Sequence, residues 1–303
     1  MSLSKDFWSA VEQLRASRMG TELMGPLLYS LIRSLRPRSV VEAGMGYTSP
    51  FIAQALADNV DDFNAEILQL EAKLQLFEKH RQVIVDHQRE DELRRFHMEC
   101  LCSDPPLASP AYYCSEYKPI YYAIDEMTNK ESSAPKVMAV LQQLNLLHVV
   151  EFHQSGFRAF LDQKSRRRPV FDLIWNDADG GGGAGFAELF MLLNPNGGVL
   201  IIHDTLTSDR GVKMISAVKQ AQATTLFKDV ELFNLLEPHK LCQTSATMVR
   251  RISGYKPKLF PPSMEEIEQE IHQFWASRGK DRDASTTADQ DSVANCRTSI
   301  RAF

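Results

Sequence analysis

The 303-residue chain lacks the features that would send it to several common classes. No apolar run reaches the roughly 18 residues of a membrane span, and Met1 to Arg18 carries charges throughout with no apolar stretch of signal-peptide length. A cytoplasmic location is therefore expected. Cysteine is sparse: Cys100, Cys102, Cys114, Cys242 and Cys296 are odd in number and contain no C-x-x-C pair, which speaks for reduced thiols. His97 with Cys100 and Cys102 matches no standard zinc spacing. There is no basic excess either. The formal net charge is −5, so bulk electrostatics give no reason to bind nucleic acid or an anionic membrane, and a small-molecule partner is expected. Gly180 to Gly183 is followed by no Lys-Ser or Lys-Thr and is no P-loop.

What is present begins at Ser39-Val-Val-Glu-Ala-Gly44-Met-Gly46-Tyr47-Thr-Ser49-Pro50. A β-branched run enters a glycine turn that opens into the helical pattern Phe51 to Leu56, predicting a buried strand, a tight loop and a helix start. Gly44 and Gly46 let a ligand lie against the main chain, and free N–H groups at the helix start can receive a carboxylate or phosphate. A dinucleotide fingerprint, and with it an NAD-dependent oxidoreductase, wants a third glycine where Ser49 stands and an acidic residue ending a second strand about 20 residues on. Neither is present. The stretch resembles motif I of the class I S-adenosylmethionine-dependent methyltransferases. That resemblance implies Glu42, Gly44, Gly46 and Tyr47 around the methionine part of the cofactor.

Along the chain, two amphipathic helices within residues 1–36 precede the first strand, ending at Pro37. Residues 37–255 read as the core, with an insertion at 61–119. The insertion holds a long charged helix or helix pair and then a loop rich in proline and tyrosine, in which Tyr112, Tyr113 and Tyr117 form either a substrate lid or a packing layer. Beyond it, apolar strands alternate with amphipathic helices. The strands are Ile120–Ile124, Val149–His153, Phe171–Trp175 and Val199–Ile202; the helices are Ala134–Leu146, Gly156–Gln163, Ala184–Leu193 and Gly211–Ala223. This predicts an α/β fold with a doubly wound, mostly parallel sheet whose ligands sit at the strand carboxyl ends. Val230–Leu236 and Ser245–Ile252 read as an antiparallel pair, and a seven-stranded sheet ending so is what the methyltransferase resemblance implies. Residues 256–303 read as a C-terminal helix, Met264 to Trp275, and a polar tail.

The same resemblance assigns a role to each strand end. Asp125 would take the ribose hydroxyls, with Glu126 as substitute. Gln154, Ser155 and Gly156 would read the adenine edge, with Phe157 or Met127 against its face, although Ser155 also suits a helix N-cap. Trp175-Asn-Asp177-Ala-Asp179 and His203-Asp204-Thr205 resemble the acidic segments of small-molecule O-methyltransferases that bind magnesium. Asp177 and Asp204 are the expected ligands of Mg2+ or another divalent cation, with Asp179 a third. Thr205 departs from the asparagine of that pattern, and a metal-free site with Asp177 near the cofactor's amine is the alternative. His203 is a candidate general base, with His153 and His239 as others, and Asp177 is the second candidate catalytic residue. Arg166 to Arg168 reads as a solvated turn. The expected activity is methyl transfer to a small-molecule hydroxyl, or to an amine; a binding subunit on the same fold is the non-enzymatic alternative. A homodimer through the N-terminal helices is also expected.

Overall fold

A computed structural model describes residues 3–16, 20–86, 90–106, 108–128, 132–165, 170–177, 185–223, 229–241, 243–254, 256–257 and 263–279. The chain divides into two compact units. The first comprises residues 1–63 and 117–257, the second residues 64–116 and 258–303.

In the first unit, strands β1 (Ser39–Ala43), β2 (Ile120–Asp125), β3 (Val150–Gln154), β4 (Leu173–Asn176), β5 (Val199–His203), β6 (Val230–Leu236) and β7 (Ser245–Arg251) form one sheet in the order β3-β2-β1-β4-β5-β7-β6. The first five run parallel, and β7 enters antiparallel between β5 and β6. The order reverses at β1 and β4, the switch point outside which ligands of open α/β sheets bind.

Period-two alternation divides the strand residues between two cores. Val40, Tyr121, Leu173, Trp175 and Ile201 face helices α1 (Lys5–Glu12), α2 (Met24–Leu35), the start of α3 (Ser49–Asp86) and α5 (Ala134–Gln143). Val41, Ile124, Ile174, Leu200 and Ile202 face α6 (Phe157–Ser165), α7 (Phe186–Met191) and α8 (Asp209–Gln222). The Ser4 hydroxyl caps α1 by accepting from the Phe7 N–H at 3.0 Å.

One element differs from the sequence reading. Helix α3 runs without a break from Ser49 to Asp86, because no glycine or proline interrupts residues 51–86; position 61 is not an element boundary. Of the tyrosines for which lid and packing layer were both open, Tyr113 and Tyr117 each pack within their own unit. Tyr117 is buried, its hydroxyl donating to the Pro37 carbonyl at 2.8 Å, at the amino end of β1 and away from the strand carboxyl ends. Tyr113 is buried too and donates to Glu66 at 2.8 Å.

In the second unit, the rest of α3, α4 (Glu90–Cys102) and a short 3-10 turn at Pro110–Cys114 join α9 (Met264–Ser277). Arg81 pairs with Glu268 at 2.7 Å, and Glu270 accepts from the Ser109 hydroxyl. A reciprocal Ser263–Glu266 capping box starts α9.

Candidate active site

Register places the carboxyl ends of the parallel strands side by side: Ala43 between Ile124 and Asn176, Asn176 beside Ile202, and Asp125 beside Gln154. The glycine turn after β1 begins at Gly44, whose φ of +85° is a conformation that excludes most side chains, and whose N–H donates to the Ile124 carbonyl at 2.9 Å. At Gly46 an added Cβ would meet nothing within 4 Å, so the turn opens on free space there.

Glu42 holds this turn from beneath and does not reach the ligand side. It is fully buried; Thr48 and Ser49 donate to its two oxygens at 2.6 Å each, and the Tyr121 hydroxyl also donates to it. Burial pushes its carboxyl up to about 7, against the lowering pull of these hydroxyls. Ser49, at the third glycine position, also accepts from the Gly46 N–H at 3.0 Å, so its side chain does the work of closing the turn. Trp175 Nε1 donates to Thr48 at 3.2 Å. The Tyr47 side chain is buried and packs against Phe51, with ring centroids 5.2 Å apart. The Glu42 carboxylate is thus taken up by hydroxyls of the turn and of β2.

Asp125 stands where expected but is heavily engaged. Its Oδ1 accepts from the Met127 N–H at 2.8 Å and the Ser132 hydroxyl at 3.0 Å, and its Oδ2 from the Met45 N–H at 3.2 Å. Glu126 is exposed, accepts from Thr128 at 3.3 Å, and lies over Gly156, where a Cβ would sit 2.5 Å from its Oε1. Gln154 is exposed and Ser155 half-buried at the end of β3.

At the other side of the switch point, His203 Nδ1 lies 2.7 Å from Asp177 Oδ1. The imidazole is only 7% exposed, against the Trp175 ring at 5.7 Å. Burial pulls its pKa down, but the hydrogen bond and charge of Asp177, with Asp204 and the Gly20 backbone, outweigh that and leave it raised. Its Nε2 has no hydrogen-bond partner among the described residues and stands 3.7 Å from Asp204 Oδ1. His153 instead pairs with Glu151 at 2.8 Å and packs on Phe160, and His239 is exposed on the β6–β7 turn.

The residues do not fit a divalent ion held by Asp177 and Asp204. The two carboxylates face opposite nitrogens of one imidazole, Asp177 at Nδ1 and Asp204 at Nε2, and so do not converge on a common point. Among the described residues no group of three or more His, Cys, Asp or Glu is placed to hold a metal. Asp179, Gly180 to Gly183 and Arg166 to Arg168 lie outside the described residues, as do Cys242 and Cys296.

Two features had no signal that single-residue inspection could find. Asn176, at the end of β4, is buried with an Oδ1 that has no partner among the described residues. A cleft of about 340 Å³ opens beside Asp204, walled by Gly20 and Glu22 before α2, by Thr207 after β5, and by Lys240 and Thr244 of the β6–β7 turn. Register between distant segments makes both.

No family model matches the chain, and no curated relative matches it. Solved structures do. The O-methyltransferase TomG from Streptomyces achromogenes, involved in tomaymycin synthesis and solved with SAM, is 15% identical over 83% of this chain and 91% of its own, with a TM-score of 0.51. An O-methyltransferase from Bacillus cereus in complex with SAH is 14% identical over 83% and 92%, also at 0.51. A putative O-methyltransferase from Klebsiella pneumoniae is 13% identical over the same shares, again at 0.51. The chain has the α/β fold of these methyltransferases, a seven-stranded, mostly parallel sheet. No described helix is long and apolar enough to cross a membrane.

Proposed function

We propose that the protein is an S-adenosylmethionine-dependent methyltransferase acting on a hydroxyl oxygen of a small molecule. The observation that carries this reading is the Asp177–His203 pair at the end of β5, two strands from an open glycine turn on a methyltransferase fold. The residues fit the cofactor. Open space at Gly46 and the orphaned, buried Oδ1 of Asn176 provide a backbone cradle and an acceptor for an ammonium group, and Asp125, Glu126 and Gln154 stand together for the ribose and base. Bound there, S-adenosylmethionine supplies a methyl on a sulfonium, which leaves as a neutral thioether when the acceptor oxygen takes the methyl.

The chain's own residues do the rest. Asp177 accepts Nδ1–H of His203 and so fixes the tautomer that leaves the lone pair on Nε2. An acceptor hydroxyl in the adjoining cleft donates to Nε2; its proton ends there, and Asp177 stabilises the resulting imidazolium. Transfer is then a matter of alignment and proton removal. An amine acceptor would use the same base. The net charge of −5 supports a small molecule over nucleic acid. The exposed Trp8, Leu23 and Leu35 of the N-terminal segment support the homodimer, which sedimentation at micromolar concentration tests. A cytoplasmic location agrees with the thiols of Cys102 and Cys114, which form no disulfide among the described residues.

The deciding experiment is calorimetric titration with S-adenosylhomocysteine and, separately, with NAD. Binding of S-adenosylhomocysteine alone supports the reading. NAD binding, or binding of neither, overturns it.

A further inference from the structure

The cleft beside His203 has a chemistry of its own. Its wall carries Glu22, Asp204 and Lys240. Lys240 Nζ lies 2.8 Å from Glu237, behind the wall, and 3.2 Å from Glu22, so the lysine's charge is met twice over. Glu237 is buried, takes the Thr244 hydroxyl on one oxygen, and leaves Oε1 without a partner. Asp204 is held out of the sheet by a left-handed backbone, φ +53°, with its side chain about half exposed and bonded only weakly to Thr207 at 3.1 Å. The wall thus has excess negative charge, and Asp204 pairs with no lysine or arginine among the described residues, its ionisable neighbour being His203 at 3.7 Å. Nε2 of His203, nine-tenths buried and unpartnered, stands beside that same carboxylate. Gly20 lies between the cleft and the ring: a Cβ there would stand 2.6 Å from Thr244 and 3.7 Å from the imidazole, so the missing side chain keeps the layer over Nε2 thin.

Resting on the methyltransferase reading, we propose that the acceptor is a hydrophilic amino alcohol, its ammonium held by Asp204 and its hydroxyl delivered to His203 Nε2. The cleft volume of about 340 Å³ suits a small metabolite. The wall's polar groups favour a solvated, cationic compound over a flat aryl alcohol. They oppose a hydroxy acid, whose carboxylate would meet Asp204 and Glu22 with the lysine already engaged.

The test uses the full-length protein. After S-adenosylhomocysteine binding has been measured, methyl transfer from S-adenosylmethionine is followed with four probes: 2-aminoethanol, glucosamine, catechol and lactate, each with magnesium and with chelator. The expected result is turnover of an amino alcohol in preference to catechol and lactate, unaffected by chelation. Asp204→Asn should raise KM for that probe about tenfold or more, the loss expected of a charge-assisted hydrogen bond, with kcat changed far less. Asp204→Lys should reverse the order of the amino alcohol and lactate, which a merely structural role of Asp204 would not do. Preference for catechol or lactate, an unchanged KM in Asp204→Asn, or abolition of turnover by chelator would overturn the inference while leaving the methyltransferase standing. Absence of S-adenosylhomocysteine binding would remove both, and is read separately before any acceptor is added.

Discussion

At the residue scale, the division of labour between neighbouring carboxylates is set by what each already touches. Asp125 takes two backbone N–H groups and a serine hydroxyl, tying together the ends of β1 and β2, whereas Glu126 is exposed over Gly156. Glu126→Ala should therefore weaken S-adenosylhomocysteine binding about tenfold without lowering Tm, and Asp125→Ala should lower both, because its buried N–H donors lose their acceptor. Paired calorimetry and thermal melts separate these. Asp177→Asn should reduce kcat about a hundredfold or more, as expected for loss of an oriented base, with cofactor affinity preserved. Retained kcat would remove His203 as the base.

Glu42 makes the pH prediction. Its folded pKa, pushed up to about 7, exceeds the ordinary glutamate value, so the contribution it makes is complete below that ordinary value and is lost as pH rises through 7. The loss is at most about 3 kcal/mol by linkage. Relative to Glu42→Gln, the native protein should lose Tm between about pH 5 and pH 8. Parallel melting curves for the two across that range would show that the carboxyl is not held protonated in the fold.

At the element scale, the loop after β5 carries both His203 and Asp204, and α8 is packed directly beneath it. A Cβ at Gly211 would lie 2.5 Å from Thr205 Cα and closer still to the Asp204 carbonyl, both of them backbone that cannot yield cheaply. Alanine in place of glycine ordinarily favours a helix interior by about 1 kcal/mol, yet here overpacking of about 1–3 kcal/mol should win. Gly211→Ala should lower Tm and, by displacing Asp204, raise the acceptor KM. An increase in Tm would mean that the helix start moves freely against the loop.

The strands were legible at this scale because period-two apolar runs bounded by glycine and proline admit few other readings. The break expected at Asp61 was not legible, since nothing in residues 51–86 distinguishes one long helix from two. The tyrosine loop stayed open between two readings for a different reason. Composition marks Tyr113 and Tyr117 as amphipathic, but only packing decides whether the ring faces a ligand or, as here, the protein interior.

For the whole molecule, the proposed ligand region lies at the β1/β4 switch point, with the proposed cofactor positions on the β2 and β3 side and the His203 pair on the β5 side. Binding to the folded state alone must then stabilise it. At about 100 times its Kd, S-adenosylhomocysteine should add about 2.7 kcal/mol, read as a rise in Tm. No rise at saturating concentration would contradict a preformed cofactor site.

The sequence by itself determined the strand and helix succession, the glycine turn and the set of polar residues at the strand ends, because local periodicity and backbone freedom are properties of short stretches. Only the tertiary structure decided what those residues do. Glu42 became a buried support, since Thr48, Ser49 and Tyr121 from other segments close over it. Asp177 and Asp204, alike as candidate metal ligands in sequence, became an imidazole's partner and a cleft carboxylate, since β4 and β5 bring His203 between them. Distances between residues far apart in the chain are set by register and packing, and those distances determine the chemistry.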